Sequence, residues 1–373
     1  MVLSNPFKPD YRVFKEANSL VRHGYRVTII AWDRNCRYPA YEVIDNIKIE
    51  RIAVKADYGS GILKLNAMIQ FWLEAIKRIK SKNASIVHCH DLDTLIVGFF
   101  CRVFCRVKIV YDSHENFPAM AQMSSPNIII FMMKKFEDFL LHFVDSIIVA
   151  NSSLGGEFKL KTKLPVTVIG NWHHRQKLDN SKIQALRKKY TKESKILITY
   201  IGSLDLSRSI IPMIEAVKLE PTIRFLICGN GTQRNAIIDA ISNANNVDYI
   251  GEIPLAMVPY FTAASDVIYY VMNETSPMAN YNAPNSLGFA LAVGKPLIAS
   301  DNGELGKVVR SADCGFLVRD NKIGTLRAVI QSLLVDNKLA ELSENALDAG
   351  NRLYNWAKME ERLISVYNNL KNR

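Results

Sequence analysis

The stretch Ile196-Leu197-Ile198-Thr199-Tyr200-Ile201-Gly202-Ser203-Leu204 decides the fold. A short β-rich apolar run ends at a glycine turn, and a helical stretch then leads to the next such run, Phe225–Cys228. Repeated alternation of this kind is the pattern of a parallel sheet covered by helices. Further along, Val247–Ile250, Val267–Tyr270, Pro296–Ala299 and Gly315–Val318 continue it. Back toward the start, the predicted strands are Val2–Ser4, Arg26–Trp32, Lys48–Ile52, Ile86–Cys89, Lys108–Tyr111 and Ser146–Ala150. Between them, apolar residues recurring at three and four predict helices over Asp10–His23, Leu63–Ile79, Leu92–Phe104 and Ile128–His142. Val2–Ser4 is short for the first strand of such a sheet, as a start placed downstream of the natural one would leave it.

Two α/β halves in tandem follow, as a length of 373 residues leads one to expect. The first domain is assigned to residues 1–170. Residues 171–195 turn polar and basic, with Arg187, Lys188 and Lys189 in a row, and are read as a linker region. The second domain covers 196–350, and residues 351–373 contain an amphipathic helix, Trp356–Leu370, expected to pack back toward the first domain. With 49% hydrophobic and 22% charged residues the composition is globular, which excludes disorder. No apolar stretch approaches the roughly 18 to 20 residues that cross a bilayer, and Met1 opens onto Asn5, Lys8 and Asp10 rather than a signal-peptide core. The protein is expected in the cytoplasm. Its six cysteines show no zinc spacing and are read as reduced, mostly buried thiols.

The net charge of +11 is uneven: 31 Lys/Arg face 18 Asp/Glu up to Tyr200, against 16 and 18 beyond it. A basic first half attracts polyanions. No nucleic-acid motif accompanies it, so an anionic membrane surface is the expected partner, with the protein peripheral on the inner face of the cell membrane. The stretch Ile128–Phe143 suits a domain helix or a helix lying on such a surface.

Ligands of open parallel sheets bind beyond the carboxyl ends of strands, so residues that follow strands are the candidates. After the first strand, Asp10 stands as a helix N-cap ahead of Tyr11 and Arg12, where backbone amides can face an anion. Val87-His88-Cys89-His90-Asp91 puts two histidines on one face of a strand tip. No third ligand of suitable spacing is evident, so a polar wall or structural hydrogen bonding is expected there rather than a metal. Asp112-Ser113-His114-Glu115 carries more titratable groups than a turn needs, and His114 is the leading candidate to contact a reacting ligand. A neutral imidazole can hydrogen-bond a hydroxyl while a carboxylate holds its tautomer. In the second half, Gly202, Ser203 and Arg208 follow one strand, while Gly229-Asn230-Gly231 follows the next; a guanidinium suits a diphosphate, and glycines permit close approach. Asn285 reads as the N-cap of a helix that runs to Gly294-Lys295-Pro296, and amides at its start suit phosphate.

In this order the segments resemble the retaining GT-B glycosyltransferases of family 4, across essentially the whole chain. The match is carried by Asp10-Tyr11-Arg12-Val13 with Glu16-Ala17, then Val87 to Asp91, Val110 to Glu115, Tyr200 to Leu204 with Arg208, Gly229 to Gly231, and Pro284-Asn285 through Gly294-Lys295-Pro296. The resemblance implies two Rossmann-like domains facing across a cleft, with a nucleotide-sugar donor on the C-terminal one. It implies Arg208 as a diphosphate clamp, with Gly202, Ser203, Gly229, Gly231, Asn285, Ser286 and Leu287 about the donor, and His114 as catalytic residue at the sugar. Asp10, Arg12, His90, Asp91 and Glu115 fall on the acceptor side. No cofactor or metal is expected beyond the UDP- or GDP-sugar co-substrate, and the acceptor is a glycan or lipid-linked glycan of the cell envelope; no nucleic acid is involved. One departure stands out. The family usually has a ribose-binding glutamate five residues before the glycine of Gly-Lys-Pro, often with a second carboxylate eight residues earlier; here these places are Phe289 and Tyr281. A basic residue frequent after the strand ending at Gly202 is Ser203 here. A phenylalanine accepts no ribose hydrogen bond, so either groups such as Glu274 or Glu304 rebuild donor binding, or the donor is unusual, or the chain is a catalytically impaired subunit that binds glycan or a partner enzyme.

Overall fold

Strands that are apolar on both faces need cover on both faces, and the chain supplies it with helices in each half. The computed structural model describes all residues except 9, 57–61, 115, 117–125, 277–278, 336–337 and 373, and the side chains of 62–64 and 335. It divides the chain into two compact units, Met1–Gly170 with Met359–Arg373, and Asn171–Lys358.

The first unit holds an eight-stranded sheet of β1 (Val2–Leu3), β2 (Thr28–Asp33), β3 (Tyr41–Ile44), β4 (Ile47–Ala53), β5 (Ile86–His90), β6 (Lys108–Ser113), β7 (Ser146–Val149) and β8 (Val166–Val168), in the order β3-β4-β2-β1-β5-β6-β7-β8. Every pairing is parallel except β3 with β4, a hairpin whose Asp45-Asn46 turn takes positive φ at both positions. Its helices are α1 (Tyr11–Arg22), α2 (Ile62–Ser81), α3 (Leu92–Cys105), α4 (Asn127–Leu141) and α5 (Ser152–Lys161). Right-handed crossovers carry α2 to α5 over one face of the sheet and α1 over the other. On β5 the pleat sends Val87 and Cys89 into the core under α2 and α3. A Cβ at Gly98 of α3 would meet the Cys89 sulfur at 2.6 Å, so the helix lies close to the strand only because that residue is glycine. His88 and His90 point to the opposite face.

The second unit is a six-stranded, all-parallel sheet of β9 (Ile196–Ile201), β10 (Ile223–Cys228), β11 (Val247–Tyr249), β12 (Val267–Tyr270), β13 (Leu297–Ser300) and β14 (Gly315–Val318), ordered β11-β10-β9-β12-β13-β14. Its helices are α6 (Asn180–Thr191), α7 (Ile210–Val217), α8 (Arg234–Ile241), α9 (Val258–Ala264), α10 (Asn285–Val293), α11 (Gly303–Ala312), α12 (Ile323–Val335) and α13 (Leu339–Arg352). Residues 171–195, read as a linker, lie inside this unit: α6 packs on α9, and Arg187 bonds the Ala264 carbonyl and Asp266. The polar face that suggested a linker is the solvent side of a docked helix.

The last helix, α14 (Trp356–Lys371), belongs to the first unit from Met359 onward. It lies on the α1 side: Glu360 accepts from Arg22 at 2.8 Å, Tyr367 meets Tyr25 edge to face, and Arg362 donates to the Val168 carbonyl. Among the described residues, no helix is long and apolar enough to cross a membrane.

Candidate active site

In an open α/β sheet the strand order reverses at one point, and a crevice opens there at the carboxyl ends. In the first unit the reversal falls between β1 and β5. The loop after β1 leads to Asp10, whose carboxylate caps α1 by accepting the Val13 amide at 3.1 Å and holds Asn5 at 2.9 Å. The first two turns of α1 then place Arg12 and Glu16 over the face that carries His88 and His90. Arg12 donates to the Ile169 carbonyl at 2.7 Å and to Asp112 of β6 at 2.9 Å, and its Nε is 3.2 Å from Glu16. His88 and His90 stack at 4.3 Å, with His88 Nδ1 bonded to the Tyr367 hydroxyl. Three imidazoles surround one oxygen of Asp112, those of His88, His90 and His114 at 3.4, 3.5 and 3.4 Å.

Asp112 is fully buried, and burial alone would raise its pKa. Arg12 and then His114 outweigh burial and hold it well below the usual carboxylate range. Glu16 is pushed the other way, up to about 8, by burial and by the charge on Asp112. At neutral pH Glu16 is therefore protonated beside an ionised Asp112. Burial opposes charge on His114 too, but Asp91 and Asp112 raise it to about 9. The imidazole expected to be neutral is an imidazolium at neutral pH, because two carboxylates flank it. His90, surrounded by His88 and His114 and buried, is held well below 6.5 and is neutral. Burial lifts Asp91 to about 6 against the pull of His114.

His114 Nε2 faces His90 Nδ1 at 3.0 Å, while its Nδ1 stands 3.7 Å from Asp91, beyond hydrogen-bond length. Nδ1 is thus the nitrogen open to a hydroxyl. Asp91, the residue before α3, is at φ 65°, a left-handed conformation that turns its carboxylate onto the His114 amide at 2.9 Å. Arg12, expected on the acceptor side, is instead committed to the buried cluster. Glu115 lies outside the described residues.

The further ligands that β5 lacks come from other elements: one atom each of Glu16, His88, His90 and Asp112 lie within 4.8 Å of one another. That donor set is chemically able to hold a divalent cation. Within it, Asp112 already pairs with the Arg12 guanidinium at 2.9 Å, and the Arg12 Nε stands 3.2 Å from Glu16.

In the second unit the order reverses between β9 and β12, and Arg208 sits there, its backbone forming a bridge to Met272 just past β12. Its guanidinium lies 5.1 Å over the Tyr270 ring, bonds Ser207 and the Met272 thioether, and leaves Nε without a hydrogen-bond partner. The glycines bring two loops together. A Cβ on Gly229, at φ 144°, would collide with the Gly202 carbonyl, and one on Gly231 would meet the Leu204 carbonyl at 2.5 Å. The loops after β9 and β10 are therefore joined backbone to backbone, with the Gly202 amide on the Cys228 carbonyl and the Leu204 amide on the Asn230 carbonyl. The Ser203 hydroxyl donates to Asp205 at 2.7 Å.

Asn285 is the first helical residue of α10 rather than its cap; the cap is Pro284, whose fixed φ of −67° suits that place and whose carbonyl takes the Leu287 amide. Leu287 is thereby withdrawn as a donor. Ser286 is buried with its hydroxyl unpartnered. Phe289, where the family has glutamate, stacks on His173 at 3.7 Å and is buried. Glu304, in the first turn of α11, is also buried, whereas Glu274 is exposed.

Residues 11–176 match the family described as "Glycosyltransferase Family 4", and residues 179–349 match "Glycosyl transferases group 1". The chain is 21% identical over 356 residues to the uncharacterized glycosyltransferase MJ1069 of Methanocaldococcus jannaschii, spanning 90% of this chain and 84% of that protein. Sucrose-phosphate synthase from Thermosynechococcus elongatus has the same fold, with a TM-score of 0.81 at 18% identity over 100% of this chain and 98% of the other. Anabaena HepE, solved in complex with UDP-glucose, gives 0.78 at 15% over 99% and 98%. With matches that together run from residue 11 to 349, the chain belongs to glycosyltransferase family 4, with the GT-B fold, and is an enzyme that transfers a sugar from a nucleotide sugar.

Proposed function

We propose that the chain transfers a hexosyl unit from a UDP- or GDP-sugar, held by the second unit, to a glycan or lipid-linked acceptor of the cell envelope, held by the first, at the surface of an anionic membrane and with retention of configuration. The observation that carries this reading is Arg208: a half-buried guanidinium at the strand-order reversal of the second sheet, with an unpaired Nε. A diphosphate is the anion that such a fork fits. Ser286, buried and unpaired in the first turn of α10, adds a hydroxyl at a helix start where phosphate is favoured. The complexes of HepE with UDP and UDP-glucose support a uridine nucleotide.

On the first unit, His114 Nδ1–H donates to a sugar hydroxyl, and Asp91 accepts from that hydroxyl in turn. Arg208 and the helix start take the charge that develops on the departing diphosphate, so no metal is needed for that step. With Phe289 stacked on His173, the ribose is held by groups other than the family glutamate. Release of nucleotide diphosphate from each UDP- and GDP-sugar is the test, with the anomeric proton of the transferred sugar read by NMR. Turnover of one donor, unaffected by EDTA and giving the donor's own anomeric configuration, is the expected result. Turnover abolished by EDTA, or an inverted product, would overturn the mechanism.

A further inference from the structure

The face of the first unit formed by α3 and α4 is apolar where a water-facing layer should be polar. On α4, Ile128, Phe131 and Met132 are 65%, 56% and 63% exposed, and Phe136 and Phe139 continue the same side. Phe104 on α3 is 62% exposed. All exposed phenylalanines among the described residues lie on these two helices. The rings form one surface: Phe99 joins Phe139 at 5.9 Å and Phe100 at 5.2 Å, and Phe100 stacks with Phe104 at 6.1 Å. The opposite side of α4 is already used, with Leu140 and Leu141 in the core and Glu137 bonded to Tyr111 and Lys161. The outer side is thus surplus to folding, and patches of this kind mark interaction sites.

Its charge selects the partner. Lys134 and Lys135 are exposed between the apolar residues, Lys135 lying over the Phe131 ring at 5.8 Å, and Arg106 is exposed at the end of α3. The carboxylate of Glu137 is buried, and Asp138 lies 3.9 Å from Lys161. Two copies of this face would bring lysines onto lysines. An anionic bilayer instead takes the aromatic and aliphatic side chains between its headgroups and pairs the lysines with lipid charge. We infer that α3 and α4 form the membrane-docking face of the enzyme, with α4 lying along the headgroup region of an anionic leaflet. The inference rests on the proposed membrane-bound acceptor only in its purpose, since docking needs no donor.

Flotation of the full chain with phosphatidylcholine vesicles, with and without phosphatidylglycerol, tests it, with UDP and GDP titrated into the same preparation by calorimetry. Binding to the anionic vesicles is expected. It should fall about tenfold or more in both Phe131→Ser/Met132→Ser and Lys134→Glu/Lys135→Glu, with nucleotide affinity and melting temperature unchanged. The natural protein failing to float, or either variant floating as well as the natural protein, overturns docking through this face. So does a natural dimer that becomes a monomer in the serine variant without any vesicle binding, which would assign the face to a second copy. Nucleotide affinity reports on the transfer reading independently, so failure of one is not failure of the other.

Discussion

Replacing Arg12 with leucine should unfold the first unit well before the second. The substitution removes the 2.9 Å bond to Asp112, the 2.7 Å bond to the Ile169 carbonyl and the charge beside Glu16, all in a fully buried setting. Breaking a buried ion pair from one side costs about 3–5 kcal/mol, because the remaining charge stays buried. Here His114 still faces Asp112, so the lower part of that range, about 3 kcal/mol, is expected. In a unit of this size each kcal/mol lowers the midpoint by roughly 2–4 °C, which makes the loss about 6–12 °C. Thermal melting followed by hydrogen exchange of β5 and β6 peptides localises it. A double variant, Arg12→Leu with Asp112→Asn, removes both charges and should recover about 1 kcal/mol or more of the sum of the singles. A midpoint shift below about 2 °C, or purely additive singles, would refute the claim that the Arg12 guanidinium helps hold this cluster together through Asp112.

Because Asp91 and Asp112 raise His114 to about 9, its stabilising effect is complete below its ordinary pKa of 6.5 and is lost as pH rises through about 9. NMR titration should find His114 charged at pH 7.5, and Asp91→Asn should lower its pKa; a neutral ring at pH 7 contradicts the assignment. Glu16, raised to about 8, acts in the same direction, so the first unit should be less stable at pH 9 than at pH 6, and Glu16→Gln should flatten the profile. Gly229→Ala combines a left-handed backbone with a clash against the Gly202 carbonyl and should cost about 2–5 kcal/mol in the second unit, read by denaturant unfolding. Phe289→Ala empties the stack on His173 and should cost about 3–5 kcal/mol there; a loss under about 1 kcal/mol would mean that the ring does not support α10.

The interior strands were legible because they are continuously apolar: β9 and β12 have the predicted bounds, as does the edge strand β14, and the other predicted strands differ at their ends. β3 was not, since its residues alternate outward at a sheet edge, and neither was β8, which is three residues long. The helix α5 contains Gly155 and Gly156 and little amphipathic pattern, and its N-cap, Asn151, was too little to announce it. Each reversal point followed only from strand order, a property of the whole sheet. His88, His90, His114 and Arg208 could be singled out because they follow or end strands. That Glu16 and Asp112 converge on the histidines could not be read, since α1, β5 and β6 are brought together only by the fold. The charge on His114 was missed for the same reason: it depends on two carboxylates whose distances no spacing encodes. The glycines after β9 and β10 were legible as special, but their cause is the closeness of two loops. Phe289 was visible as a departure; its stack on His173 was not.

The most direct test of the account is calorimetric titration of UDP and GDP into the natural protein and into Arg208→Ala. The account predicts saturable binding of at least one nucleotide to the natural protein, weakened about tenfold or more by the substitution, since charge-assisted bonds to phosphate are worth about 1.5–3 kcal/mol. Equal affinity in both proteins, or no binding to either, would contradict a donor site built on Arg208.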